Sequence, residues 1–244
     1  MYRWRTNMPD NTILDLLERN DPGQGNERIG STARRNIDKT GYCYHTITKA
    51  WGNDNIYSLE VARYRQELLC KLCKEKHIAI LFSVTMPNHT HEVFITPDWE
   101  TLAQTIRLLN TQVSRYIKKD KKARGRKVTE GMKVFTAYPT YIIVKDICYL
   151  FFLGKYIFDN PGHLKKEGKV VPDSCFWMFE KGYFKEPYDK ALYKKLFDLE
   201  PSEILNHYQT KTKEEIFAFA KVQFRNWTED DNRRMFINEE RINQ

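Results

Sequence analysis

Residues 86–95 read Met86-Pro87-Asn88-His89-Thr90-His91-Glu92-Val93-Phe94-Ile95 and place two histidines one residue apart inside an apolar run. Alternate side chains of a β-strand point to the same face, so His89 and His91 are predicted to project together while Thr90 points away. Two imidazoles on one strand form half of a metal site, which a third ligand from another element would complete. A pair of ordinary surface or half-buried histidines is the alternative when this stretch is taken alone.

The segments on either side of this stretch predict a sheet flanked by helices. The β-prone segments are 42–48, 78–84, 89–95 and 134–144, and the segments with helical spacing are 58–76, 99–118 and a helix that starts at Asp146 and is expected to stop at Pro161-Gly162. The order β-α-β-β-α-β-α predicts an α+β, ferredoxin-like fold, with an antiparallel sheet and helices on one face. In that topology the histidine strand lies near the centre of the sheet.

The chain is predicted to have three parts: a polar arm at 1–40, a patterned body at 41–180 and a helical extension at 181–244. With 244 residues and 41% hydrophobic residues, the chain is long and apolar enough to bury a core. Its apolar runs are too short for a membrane span, and its N-terminus shows no secretory apolar region. Five scattered cysteines suit reduced thiols, so we expect a cytoplasmic protein with no membrane partner.

The positive charge of the chain is concentrated in one segment. Of a net charge of +8, most arises between Arg115 and Lys127, where eight basic residues accompany one acidic residue. Such a dense basic run favours a polyanionic partner, and nucleic acid is the expected one. A solvated, mobile loop is the alternative. The basic residues are Arg115, Lys118, Lys119, Lys121, Lys122, Arg124, Arg126 and Lys127.

Tyr156 and Asn160 lie four residues apart on the predicted helix after Asp146, so they share one helical face. An asparagine oxygen can bind a hard cation, and a tyrosine hydroxyl can act as a nucleophile. If this helix packs beside the histidine strand, His89, His91 and Asn160 would bind a divalent cation with Tyr156 at its open side. An ordinary half-buried helix tyrosine is the alternative.

Three motifs of the chain together resemble a known family. Tyr44-His45-Thr46-Ile47-Thr48, the Met86–His91 motif and Tyr156-Ile157-Phe158-Asp159-Asn160-Pro161 have the order and spacing of the single-tyrosine HUH transposases, and are most similar to the REP-associated tyrosine transposase branch. The resemblance spans roughly residues 41–180. It implies a ferredoxin-like fold, His89 and His91 as metal ligands, Asn160 as the third ligand and Tyr156 as the nucleophile.

The resemblance also implies an activity and its partners. A transposase of this kind nicks single-stranded or hairpin DNA with the help of Mg²⁺ or Mn²⁺, forms a 5′-phosphotyrosine link and transfers the strand. The basic segment and Lys49 would contact the DNA backbone. Lys49 replaces an arginine that is frequent in the family, and residues 135–139 read Phe-Thr-Ala-Tyr-Pro where Phe-Gln-x-Arg-Tyr is usual. These departures affect DNA recognition rather than the chemistry.

Several alternatives stay open at this point. The chain could be a domesticated DNA-binding protein of the same fold that no longer cleaves, an RNA-binding module on a similar sheet, or a metal-dependent hydrolase of small phosphoesters. Tyr116, Tyr138 and Tyr141 are alternative nucleophiles. Members of the wider family act as monomers or dimers, so a homodimer is also open.

Overall fold

The computed structural model describes residues 41–166 and 190–237. Its first part contains β1 (Cys43–Lys49), α1 (Leu59–Glu75), β2 (Ala79–Thr85), β3 (His89–Ile95), α2 (Trp99–Ala123), β4 (Thr140–Ile143) and α3 (Ile147–Lys166). Its second part contains α4 (Lys190–Phe197), α5 (Pro201–Thr210), α6 (Lys213–Gln223) and α7 (Glu229–Phe236). The predicted arm at 1–40 lies outside the described residues.

The four strands form one sheet in the order β2-β3-β1-β4, and every neighbouring pair is antiparallel. A βαββαβ chain with this strand order has the ferredoxin-like fold, so the predicted fold class is confirmed. β3 lies between β1 and β2, which places both histidines on an inner strand, as the topology predicted. Lys49, Thr85, His89 and Thr140 mark one end of the sheet, which we call the hairpin end because the β2–β3 turn closes it.

The two faces of the sheet carry different helices. α1 and α2 cover one face, where Arg65 of α1 pairs with Glu92 of β3 and Trp99 of α2 packs on Tyr44 of β1. α3 lies on the opposite face, where Tyr156 contacts His91. The strand alternation expected of β3 therefore separates a structural face from the histidine face.

The two helix starts predicted at Ser58 and Asp98 are confirmed, because each side chain accepts a hydrogen bond from the backbone N–H three residues on. The predicted end of α2 at Lys118 is too early. The helix continues to Ala123 and ends before Gly125, which has a φ of +68°. Much of the basic segment is therefore the last turns of a helix, and the expectation of a loop from Lys118 onward is wrong there.

Two other boundaries differ from the prediction. α3 does not stop at Pro161 but runs to Lys166. Proline at 161 removes the N–H that would donate to the carbonyl of Ile157. The side-chain amide of Asn160 donates to the adjacent carbonyl of Tyr156 at 3.0 Å. The expected long β segment at 134–144 is a strand only over Thr140–Ile143, just after Pro139, which has no N–H for the ladder.

The C-terminal helices pack on α3. The Tyr193 hydroxyl donates to the carbonyl of Leu81, and the Tyr208 hydroxyl donates to the carbonyl of Phe151 at 2.7 Å. The ammonium of Lys155 in turn donates to the carbonyl of Tyr208 at 2.6 Å. α4, α5, α6 and α7 are the helices described within the segment 181–244, which was expected to be helical. The domain limits at 180 and 181 stay predictions.

None of the helices in the described ranges is both long enough and apolar enough to cross a membrane.

Gly154 allows α3 to approach the sheet closely. A Cβ built at this position would lie 2.6 Å from Cζ of Phe82 and would also overlap the Tyr208 hydroxyl. Both neighbours are buried, so neither side chain can swing aside into solvent. Glycine at this position therefore determines how near the tyrosine helix lies to the histidine strand.

We expect Gly154→Ala to lower the free energy of unfolding by about 1–3 kcal/mol, because the added methyl overpacks this contact. Urea unfolding followed by circular dichroism measures the change. The matched control is Gly162→Ala in the same helix, where no other described part of the chain lies within 4 Å of the added Cβ, apart from the backbone of the helix itself. The control is expected to be neutral or to stabilise by up to about 1 kcal/mol. Equal effects of the two substitutions would contradict this role for Gly154.

Candidate active site

His89 and His91 project from the same face of β3, as the alternation predicted. Their ring centroids lie 4.9 Å apart, with the rings nearly perpendicular. His91 is fully buried, whereas His89 keeps 7% of its surface exposed. The pair therefore opens toward solvent on the side of His89, at the hairpin end of the sheet.

Tyr156 lies directly over the second histidine. Its ring centroid is 5.6 Å from that of His91, and the two rings are perpendicular. α3 reaches this position by running along the histidine face. Gly154 packs against Phe82 of β2, and Phe82 pairs with Val93 of β3. Two residues after Gly154, Tyr156 lies at the level of His91. The structure thus brings together the tyrosine and the two histidines that the sequence singled out.

Asn160 lies one helical turn beyond Tyr156 and half-buried. The four residues from Tyr156 to Asn160 advance about 6 Å along a helix, close to the two-residue spacing of His89 and His91 on a strand. Its amide nitrogen donates to the carbonyl of Tyr156, which leaves the side-chain oxygen as its acceptor group. The assignment of Asn160 as a ligand stays a prediction.

His45 is a third histidine of this face, which the sequence reasoning quoted within a motif but did not assign a role. It is fully buried on β1, and its Nε2 lies 3.0 Å from Nδ1 of His91. The two rings stack with centroids 5.2 Å apart. The sequence feature that points to His45 is its position in the Tyr44–Thr48 motif. This motif predicts a buried strand, but it does not predict which strand lies beside it.

Burial keeps these imidazoles neutral. It lowers the pKa of His45 to about 3. The pKa of His91 lies well below its ordinary value, first because of burial and then because of the nearby His89, His45 and Lys49. A neutral imidazole has a lone pair and is the form that binds a metal ion.

Hydrogen bonds orient both histidines of β3 through the same ring atom. Nδ1 of His89 lies 2.7 Å from Oδ1 of Asn88, and Nδ1 of His91 faces His45. Because Asn88 Oδ1 can only accept, His89 carries its proton on Nδ1 and keeps a lone pair on Nε2. Nε2 of His91 is buried and has no hydrogen-bond partner within the described part of the chain. When His91 donates its Nδ1 proton to His45, its Nε2 also carries a lone pair, and in that tautomer the two Nε2 atoms are suited to binding one cation.

Protein carboxylates do not complete this pair. Glu92 points to the other face, where its Oε1 lies 2.6 Å from Arg65 Nη1 and both side chains are fully buried. Among the described residues no group of three histidine, cysteine or acidic side chains is arranged to hold a metal ion. Within the described residues, a metal site on His89 and His91 would therefore be completed by a neutral oxygen donor, such as an amide, or by an oxygen of the substrate.

Comparisons with known proteins relate this part of the chain to a family. Residues 38–158 match the family model described as "Transposase IS200 like". The chain contains an IS200-like transposase domain. A solved structure of a REP-associated tyrosine transposase bound to a REP hairpin is similar over 62% of this chain and 84% of that chain, with 16% sequence identity and a TM-score of 0.42. No curated protein matches the chain significantly.

The other tyrosines considered for the transposase domain have surroundings that differ from those of Tyr156. Tyr141 pairs with Thr46 and packs on Trp99, on the face opposite His91, and burial raises its pKa. Tyr116 stacks on Tyr64 with centroids 4.0 Å apart. Tyr138 is 55% exposed in the segment before β4. The geometry favours Tyr156 over all three.

The basic segment of the transposase domain ends at the hairpin end of the sheet. Arg124 pairs with Glu60 in the first turn of α1, and the backbone N–H of Tyr57, just before α1, donates to Pro87 in the β2–β3 turn. Arg124 also pairs with Asp120, so its charge is partly neutralised. Lys49 pairs in register with His89 and is half-buried at the same end.

We expect His45→Phe to weaken Mn²⁺ binding about 10- to 100-fold, because phenylalanine keeps the ring shape but cannot hydrogen-bond to His91. Isothermal titration calorimetry or the electron paramagnetic resonance of free Mn²⁺ measures the affinity. His45→Gln is the matched variant, since its side-chain oxygen can still accept from Nδ1. If both variants bind Mn²⁺ as tightly as the wild type, His45 does not orient His91.

Proposed function

We propose that this protein is a metal-dependent single-stranded DNA endonuclease and strand transferase that uses Tyr156 as its nucleophile. The observation that carries the proposal is the perpendicular contact of Tyr156 with His91, at 5.6 Å between centroids and within one chain. Both residues of this contact lie within residues 38–158, which the IS200-like family model matches. His89, His91, Asn160 and Tyr156 all come from one chain, so a second copy is not required to supply any of them.

The proposed reaction exchanges one phosphoester for another. The hydroxyl oxygen of Tyr156 attacks the scissile phosphorus and loses its proton, a 5′-phosphotyrosine forms and the 3′ oxygen leaves as a hydroxyl. Because the bond energy is retained, a 3′-hydroxyl of another strand can reverse the step without ATP. A positively charged side chain also lies next to the proposed nucleophile. The ammonium nitrogen of Lys213 is 5.5 Å from the centroid of the Tyr156 ring.

A divalent cation, Mg²⁺ or Mn²⁺, would supply positive charge next to the scissile phosphate. The Nε2 atoms of His89 and His91 would hold it, with the oxygen of Asn160 as the proposed third ligand. The lone pairs left by the Asn88 and His45 contacts support this assignment.

Two alternative functions find less support. An RNA-binding module on such a sheet would offer exposed aromatics from its central strands, but the histidine face is buried beneath α3, and His45, Ile47 and His91 are at most 1% exposed. A hydrolase of small phosphoesters would place carboxylates beside the histidines, whereas Glu92 faces Arg65 on the other side. The buried histidine face does not suit an RNA-binding module, and the position of Glu92 does not suit a hydrolase of small phosphoesters.

Tyr156→Phe is expected to abolish a covalent adduct between the protein and single-stranded DNA, because the nucleophilic oxygen is removed. The probes are labelled oligonucleotides covering the inverted repeats in the DNA that flanks the coding region. Incubation with Mn²⁺ followed by a denaturing gel reveals the adduct.

Tyr116→Phe and Tyr141→Phe are the matched controls and should form the adduct as the wild type does. An adduct that survives in Tyr156→Phe but disappears in either control would reassign the nucleophile. Tight binding by the wild type with no adduct on any hairpin probe would favour the domesticated, non-cleaving protein.

The basic segment is proposed to contact the DNA backbone. If about six of its charges touch phosphates, affinity for single-stranded DNA falls roughly 10²–10³-fold between 50 and 200 mM salt. Replacing Lys118, Lys119 and Lys122 by glutamine should reduce the slope of log affinity against log salt by up to about 2. Fluorescence anisotropy at several salt concentrations measures the slope.

The matched control replaces three lysines at the opposite end of the sheet, Lys71, Lys74 and Lys76, which lie at the end of α1 and are exposed. It removes the same charge but should leave the slope nearly unchanged. Equal slopes for the two triple variants would show that the basic segment is not the contact surface.

A further inference from the structure

Two exposed aromatic side chains lie at the hairpin end of the sheet, outside the site described above. Trp51 is 47% exposed and Tyr138 is 55% exposed. The other large apolar side chains with comparable exposure in the described ranges, Leu59, Leu108 and Val222, are aliphatic. An exposed indole or phenol ring gives up the free energy that its burial would contribute to stability. The exposure of both rings therefore favours a role in binding.

Trp51 is held in place by its backbone. The N–H of Trp51 donates to the carbonyl of Val134 at 2.9 Å, and the N–H of Ala50 donates to the carbonyl of Asn88 at 2.7 Å. The next two residues, Gly52 and Asn53, both adopt left-handed φ values, of 66° and 59°. A left-handed asparagine is uncommon, and here it closes a tight turn that leaves the indole at the surface.

Both aromatics flank Lys49, the residue that pairs with His89. Trp51 follows Lys49 by two residues on the same strand end. Thr136 connects Tyr138 to Lys49. Its backbone N–H donates to the Lys49 carbonyl at 3.0 Å, and its hydroxyl lies 3.4 Å from the Tyr138 carbonyl. The two rings are thus carried by neighbouring backbone segments at the open side of the histidine pair.

Cations accompany these rings. Nζ of Lys133 lies 4.2 Å from the centroid of the Trp51 ring. The basic segment reaches the same end of the sheet, since Arg124 pairs with Glu60 beside the β2–β3 turn. Aromatic faces next to lysines are the combination that binds single strands, in which bases stack and phosphates meet positive charge. A purely apolar partner would not need the lysines.

We propose that Trp51 and Tyr138 form a stacking surface for unpaired nucleobases of single-stranded DNA, and that it holds the strand as it passes toward Tyr156. The inference rests on the proposed function for the identity of the polymer. It adds the residues that contact bases rather than phosphates. Base stacking on an aromatic ring tolerates every base, so this surface contributes affinity and position without reading sequence.

The test is DNA binding by a Tyr156→Phe background in EDTA, so that neither cleavage nor a metal ion is needed. Adding Trp51→Ala should weaken binding of a labelled single-stranded oligonucleotide about 5- to 150-fold, the range for losing one stacked base. Trp51→Phe should retain most of the affinity. The salt slope should stay unchanged, because no charge is removed.

An abasic scan sharpens the test. One base at a time is removed from the oligonucleotide. At one position, loss of the base should weaken binding to the Tyr156→Phe protein. The same loss should have little effect when Trp51 is also replaced by alanine, because both changes remove the same interaction. Tyr138→Ala should show the same coupling at a different position. Leu108→Ala, on the exposed side of α2, is the control and should show no coupling.

The outcomes separate this inference from the proposed function. If Trp51→Ala and Tyr138→Ala bind DNA as tightly as the parent while the wild type still forms its adduct, the stacking surface is wrong and the nuclease stands. If both variants lose affinity with matching abasic positions but no adduct ever forms, the surface stands and the nuclease is wrong. Melting temperatures within a few degrees of the parent establish that the variants are folded.

Discussion

The buried ion pair between Arg65 and Glu92 is the constraint on which the rest of the site depends. Both side chains are fully buried and 2.6 Å apart, and the Thr46 and Thr90 hydroxyls also donate to Glu92. A one-residue slip of β3 would turn Glu92 toward α3 and leave Arg65 as an unpaired buried charge, which costs several kcal/mol. The same slip would turn both histidines into the structural face. The pair therefore specifies which face receives the imidazoles.

The opposite face depends on how closely the tyrosine helix can approach. Gly154 removes the side chain that would separate α3 from Phe82, and the hydroxyl of Tyr208 occupies the adjoining space. The C-terminal helices are then hydrogen-bonded to the rest of the domain. Tyr193 donates to β2 and Tyr208 donates to α3, and Lys155 of α3 donates to the Tyr208 carbonyl. These helices do more than extend the chain, because they support the helix that carries Tyr156 and add Lys213 beside its ring. A proposed nucleophile on a well-supported helix needs little reorganisation before attack.

The histidine face and the hairpin end have complementary properties. The first is buried, with neutral His45 and His91 imidazoles, and hydrogen bonds to Asn88 and His45 orient the rings of His89 and His91. The second is exposed and positive, with Trp51, Tyr138 and the end of the basic segment. A charged polymer could be held at the exposed end by stacking and charge while a single phosphate reaches the buried end. In the proposed function, this division would keep water away from the reacting atoms without burying the whole substrate.

Sequence periodicity and capping determined the elements of this protein: the alternation that pairs His89 with His91, the starts of α1 and α2, and the element order that predicts the ferredoxin-like fold. These features depend on residues a few positions apart, which the sequence displays directly. It could not show that His45 meets His91 across 46 residues, that Glu92 faces Arg65, or that α2 and α3 continue past their expected ends. Those outcomes depend on which strands become neighbours and on how near two helices can pack, so only the tertiary structure decided them.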